Sequence, residues 1–182
     1  LDVTTVLRIA QLSYNTGNNF GGIIDDVKIY NYARSAEEIK QDYNAGFAAH
    51  FGGSPAKDVE RGLVAYWNFE EGTGTTANDQ TDGGNTGTLT NMDQKTDWVT
   101  GKLGTGLAVD VDGSAQNQHV DGGDVDAMDG GTQRTIAGWV YPRAGGASVI
   151  LEKSIASAAG DGPWGFGHCG TLSNNEFVAN IR

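Results

Sequence analysis

The sequence predicts an all-β fold, two antiparallel sheets packed as a sandwich, with one short helix. Three observations carry that expectation. Short runs alternate apolar and polar residues, the period-2 signature of half-buried strands. The 182 residues hold 28 glycines against 3 prolines, too many for a helical bundle and too scattered for collagen, but suited to short strands joined by tight turns. Only one segment shows a convincing helical period.

The elements follow in order. VLRIAQL, Val6 to Leu12, is the first strand candidate, and a turn-rich bridge YNTGNN leads to the next. In GGIIDDVKIY, Ile23, Val27 and Ile29 share one face while Ile24, Asp26, Lys28 and Tyr30 share the other, so Asp25 falls on the apolar face. A carboxylate there is costly without a bound cation or a set of donors nearby. Ser35 and Glu38 then form an S-x-x-E capping box, and Ala36, Ile39 and Tyr43 make one apolar stripe before Gly46, which predicts a helix of about two to three turns. The stretch from Phe47 carries Gly53-Ser54-Pro55 without periodicity and reads as a linker or loop.

Alternation resumes in GLVAYWNFEE, with Leu63, Ala65, Trp67 and Phe69 on one face. A polar, glycine-rich excursion separates it from GLAVDVDG, where Leu107, Val109 and Val111 align. TIAGWVYP is apolar on both faces, as a central strand would be. SVILEKS, WGFGHCG and FVANIR bring the candidates from Leu63 onward to roughly seven, spaced by turn signals as in all-β sandwiches.

Composition narrows the function. Twenty-three acidic against twelve basic residues give a net charge of −11, which repels nucleic-acid phosphates and anionic lipid; calcium and neutral polymers such as glycans stay compatible. An acidic surface also serves solubility. The single Cys169 excludes an intramolecular disulfide and a multi-cysteine zinc site, and His168 beside it points to the opposite face of a strand, so the two make no nucleophile pair. No run approaches the ~18 apolar residues of a membrane span. The chain carries no E-x-D-x-x-E run, no H-E-x-x-H and no G-x-S-x-G, so no enzymatic activity is expected.

Several segments line up with one family. GLVAYWNFEEGTGTTANDQTDGGNTGTL, GKLGTGLAVDVDGS, HVDGGD and TIAGWVYPR resemble, in that order, the opening half of laminin-G-like (concanavalin-A-like) jelly-roll domains. IIDDVKIYNYARSAEEI resembles their closing strand and helix, and together the pieces cover roughly two-thirds of the chain. The resemblance implies a two-sheet jelly-roll sandwich in which closing and opening strands lie side by side. Here the order is reversed: residues 1–46 are of closing type, 47–61 a linker and 62–182 of opening type. Three arrangements account for this: a piece of a tandem array, a circular permutation, or half-domains completing each other between molecules through exposed strand edges. Tail and front together offer about nine strands, close to a whole jelly roll, whereas either alone buries too little apolar surface. Leu63–Phe69 is therefore expected to pair with Ile24–Tyr30, within one chain or across two.

The excursion NDQTDGGNTGT brings Asp79, Asp82 and Asn85 close, with Gly83 and Gly84 between. Hard oxygen ligands of this kind suit calcium. The resemblance implies a calcium ion near this loop with help from the closing strand, held by Asp79, Asp82, Asn85 and Asp25; the alternative is an Asp/Asn/Gly turn cluster without an ion. A second acidic group, Asp110, Asp112, Asp121, Asp124, Asp126 and Asp129, fails the D-x-[DN]-x-[DN]-G template and reads as loop solvation. Trp67 and Trp139 sit in strand alternation and are assigned to the core. Trp98 and Trp164, in loop-like surroundings, and Tyr14, in the turn before the closing strand, are the candidates for ring faces that stack on a sugar. The expected function is a non-catalytic extracellular or cell-surface module, adhesive or carbohydrate-binding, within a larger protein, with a glycan or surface-protein partner. A spacer or filament subunit built by strand exchange is the alternative, and an ancillary domain of a carbohydrate-active enzyme a third.

Overall fold

A computed structural model describes residues 5–11, 19–50, 60–102, 107–111, 117–129, 132–143, 148–154, 164–169 and 176–181. Along it run β1 (Val6–Ile9), β2 (Gly22–Tyr30), α1 (Ala36–His50), β3 (Leu63–Trp67), β4 (Thr76–Ala77), β5 (Gly87–Thr90), β6 (Trp98–Thr100), β7 (Leu107–Val111), β8 (His119–Asp121), β9 (Thr135–Pro142), β10 (Ser148–Ser154), β11 (Trp164–Cys169) and β12 (Glu176–Ile181). The expected all-β class with one helix holds. β4, β5, β6 and β8 carry no readable alternation because each is only two to four residues long.

β2 organises one sheet. β9 pairs along its whole length, from Gly22 opposite Pro142 to Tyr30 opposite Thr135. β7 and β3 divide its other side: Gly22–Ile24 face Val111–Val109, and Val27–Tyr30 face Trp67–Leu63. β6 completes this five-stranded sheet beyond β7. The seven-stranded sheet runs β12-β11-β10-β1-β8-β5-β4, with β1 inserted between β10 and β8. The expected pairing of the early and the middle ribbon thus occurs within one chain.

Between the sheets lie Leu7 and Ile9 from β1, Ile24, Val27 and Ile29 from β2, Trp67 from β3, Val120 from β8 and Leu151 from β10, all buried. One assignment of faces is corrected. On β2 the pair Asp25–Trp139 is followed by Lys28–Ala137, so a bulge interrupts the ladder, and Asp26 takes φ 53°, a left-handed conformation that aspartate tolerates better than most residues. The bulge brings Ile24 onto the core face with Val27 and Ile29, and simple alternation from Ile23 fails across it.

The capping box forms in both directions: the Ser35 N–H donates to Glu38 Oε2 at 2.8 Å, and the Glu38 N–H to Ser35 Oγ at 3.3 Å. The helix then runs to His50, past Gly46 and into the stretch read as linker. It is pinned to the sheet's outer face. Arg34 places Nε 3.0 Å from Asp42 Oδ2, stacks its guanidinium 4.2 Å from the Tyr30 ring centroid and donates to the Glu38 carbonyl at 3.1 Å. Tyr30 donates its hydroxyl to the same Asp42 oxygen at 3.0 Å.

Candidate functional site

β9 alternates as a sheet strand must, and its two faces differ in kind. Ile136 and Val140 pack against the core, so Thr135, Ala137, Trp139 and Tyr141 project from the opposite, outer face. Tyr141 is 65% exposed. Trp139 is half-buried because Tyr43 of α1 leans on it, ring centroids 5.4 Å apart and planes tilted by 42°, and because Lys102 brings its ammonium within 5.6 Å of the indole. Next to them on the same face stands Tyr66 of β3, with the Lys28 ammonium 4.7 Å from its ring centroid. Its hydroxyl donates to Asp26.

The helix and the strands bound a cleft of about 400 Å³, walled by Ile39 and Tyr43 on one side and by Ala137, Trp139 and Lys28 on the other. Its lining continues round β9 to Ile136, Val140, Ile150 and Leu151. Ile39 and Tyr43 are each 52% exposed, so the helical wall has ring and aliphatic surface to offer. Asp26 and Asp42 supply carboxylates at the floor. Burial pushes the Asp26 carboxyl above its ordinary value, against the pull of the Tyr66 hydrogen bond and the Lys28 charge. Burial likewise raises the Tyr66 phenol, helped by the Asp26 charge, so it stays a protonated donor. What this face provides is aromatic surface with a few polar groups beside it, a binding chemistry.

The expected calcium ligands have other partners. Asp79 accepts five hydrogen bonds: Oδ1 from the Tyr66 N–H, the Thr81 N–H and the Thr81 hydroxyl at 2.9–3.0 Å, Oδ2 from the Asn85 N–H and Nδ2 at 2.8–2.9 Å. A carboxylate offers about four lone-pair sites, so these donors use its coordination capacity. Asn85 presents its amide nitrogen to that carboxylate and to the Val64 carbonyl, at 3.0 Å from the latter. Gly83 lets the loop close this tightly: a Cβ there would lie 2.5 Å from Asn85 Nδ2 and 2.8 Å from the Val64 oxygen. Asp82 is exposed. Asp25 lies opposite Trp139 in the ladder and so shares its outer face, not the core face that alternation predicted; it is nonetheless buried, at 1% exposure, and accepts the Lys102 N–H at 2.6 Å. The arrangement of Asp79 and Asn85 is that of a hydrogen-bonded turn and does not fit a calcium ion there. Carboxylates able to hold a cation come together elsewhere: Asp124, Asp126 and Asp129 place one oxygen each within 4.8 Å of one another.

No family model, curated protein or solved structure matches the chain. The aromatic surface therefore stands on its geometry alone, and it is built from different residues than the sequence suggests. Trp98 is 6% exposed and donates Nε1 to the Gly74 carbonyl at 3.0 Å, which makes it a core residue and removes it as a sugar platform. Tyr14 and the side chain of Trp164 lie outside the described residues. Trp139, assigned to the core, faces outward. The signal that could have placed it was phase: Trp139 alternates with Ile136 and Val140, so with those two turned to the core it faces outward, and an outward aromatic under a helix also makes a strand look apolar on both faces.

Proposed function

We propose that this domain is a non-catalytic binding module, extracellular or at a cell surface, that takes a glycan on the outer face of its five-stranded sheet. The observation that supports it is the Trp139–Tyr43 pair with Tyr141 one step along the same strand face: ring surface is presented beside hydrogen-bonding carboxylates and ammonium groups, the combination that stacks on a pyranose and reads its hydroxyls. The sandwich resembles laminin-G-like domains in its motifs, and the proposal follows that analogy for the class of ligand only. Calcium has no assigned part in it, since Asp79 and Asn85 are spent on each other. Among the described residues no helix is long and apolar enough to cross a membrane.

A glycan array with the full chain tests the proposal, with Trp139→Ala and Tyr43→Ala as controls. Binding that both substitutions remove, with the melting curve of the fold retained, supports it. Silence across the array with the fold intact ends it. A second reading, a spacer that assembles by strand exchange, draws on a separate feature: among the described residues β9 pairs only with β2, and the cleft wraps its other edge. Light scattering that finds concentration-dependent assemblies, lost when proline replaces Ala137, favours that reading.

A further inference from the structure

Lys153 of β10 is 1% exposed, and its ammonium is enclosed by oxygen: 2.9 Å from Asp124 Oδ1, 2.7 Å from Asp129 Oδ1 and 2.8 Å from the Val125 carbonyl. Two of its N–H groups hydrogen-bond the Val125 carbonyl and Asp129 Oδ1, and Asp124 Oδ1 adds an ion pair. The same loop brings Asp124, Asp126 and Asp129 within 4.8 Å of one another, a set of hard oxygens of the kind divalent ions prefer. A polar hollow of about 420 Å³ opens onto Asp124 and Asp126, with Gly83 and Gly84 on its far wall. Access, charge and oxygen donors are thus all present, yet the centre of positive charge comes from the chain itself.

We propose that the Lys153 ammonium is the resident cation of the 122–129 loop, standing where a divalent ion would otherwise sit and making the fold independent of calcium. The start of the loop is already tied to the neighbouring strand: Leu7 of β1 donates its N–H to the Gly123 carbonyl at 2.8 Å and accepts from the Gly122 N–H at 2.9 Å, and Leu7 lies opposite Lys153 in the β1–β10 ladder. The ammonium ties the carboxylate side of the loop to that ladder. Its two hydrogen bonds of 2.7–2.8 Å and its 2.9 Å ion pair are ammonium–oxygen distances, longer than the roughly 2.3–2.6 Å of calcium–oxygen bonds. A divalent ion entering the cluster would have to bind carboxylates already paired with a buried ammonium, against the repulsion of that charge.

The test uses the full chain in excess EGTA and in millimolar calcium chloride. Wild type should melt at the same temperature in both, with no calcium-binding heat that Asp124→Asn removes. Lys153→Met empties the position while keeping the aliphatic stem; it should melt roughly 6–20 °C lower in EGTA, regain most of that loss in calcium and bind the ion by titration, and Lys153→Met/Asp124→Asn should lose that response. A calcium-induced rise in the wild-type melting temperature that Asp124→Asn abolishes overturns the proposal, as does a folded Lys153→Met chain that ignores calcium. Should Lys153→Met fail to fold in either buffer, the comparison of wild type with Asp124→Asn decides alone.

Discussion

Val27 of β2 lies directly opposite Trp67 of β3, and both side chains are buried in one core. The consequence is architectural: β1 sits between β8 and β10, and β2 between β9 and the β3–β7 pair, so the first thirty residues supply an inner strand to each sheet. Removing them opens both layers at once. A chain covering only residues 60–182 should show no cooperative melt and poor dispersion in a proton–nitrogen correlation spectrum, and a peptide of residues 1–46 added in trans should restore both. A sharp melt from the 60–182 piece alone would contradict the interleaved arrangement.

Asp79 is expected to matter for stability and not for metal. Its five hydrogen bonds fasten the loop ahead of β5 to the backbone of β3, and losing a charged acceptor that leaves buried donors unpaired costs about 2 kcal/mol. Asp79→Ala should therefore melt roughly 4–8 °C lower, equally in calcium and in EGTA. The acid side adds a check. Burial alone would raise this carboxyl, but the N–H bonds from Thr81, Tyr66 and Asn85 hold it below the usual range. A depressed carboxyl contributes stability that is present above its unfolded value and lost as pH falls through the folded one, so Asp79→Asn should flatten the acid limb of the stability curve below about pH 4.

Asp26 should behave in the opposite sense. Burial pushes it up, so the folded state favours its neutral form and stability declines as pH rises from the ordinary carboxylate value through the folded one. Asp26→Asn removes the charge, keeps an acceptor for the Tyr66 hydroxyl and suits φ 53° as well as aspartate does. It should melt at or above wild type at pH 7, with the difference closing toward pH 3. Asp26→Val places a β-branched residue in that left-handed backbone and should cost about 1–2 kcal/mol or more. An Asp26→Asn chain markedly less stable than wild type at neutral pH would show that the carboxylate is needed in its charged form.

Where an apolar run was long and bounded by turn signals, the sequence was legible: β9 and β10 match their predicted runs residue for residue, and Ser35 with Glu38 announced the helix start that forms. Legibility failed where one residue changed the phase. The bulge after Asp25 put Ile24 on the core face, and no local signal separates an Asp-Asp pair in a regular strand from one in a bulge. The site was obscured for a related reason. Trp98 looks exposed because its neighbours are polar, yet a three-residue strand is enough to bury it, and Trp139 looks buried because the partner that covers it, Tyr43, arrives from a helix far away in sequence. Lys153 gave no warning, since a lysine in an apolar run reads as a strand's solvent face until its partners on the 122–129 loop are seen.

The wall of the proposed binding cleft depends on one buried cation. The Arg34 side chain is wholly buried; it pairs with Asp42, stacks on Tyr30 and caps the Glu38 carbonyl, so one residue joins the chain entering α1 to the sheet and to the helix itself. Arg34→Met fills the same volume but leaves Asp42 with a charge and no cation beside it, and removing one partner of a buried pair costs about 3–5 kcal/mol. That loss is local to the helix attachment, because the core between the sheets contains neither residue. Hydrogen exchange should therefore rise first in Ala36–Tyr43 while β2 and β9 stay protected, and Tyr43 should lose its hold on Trp139, seen as a shift in tryptophan emission. Because the Trp139–Tyr43 wall is the proposed glycan surface, Arg34→Met should also weaken glycan binding without touching any ligand group. Uniform loss of protection across both sheets would instead make Arg34 a requirement of the sandwich as a whole.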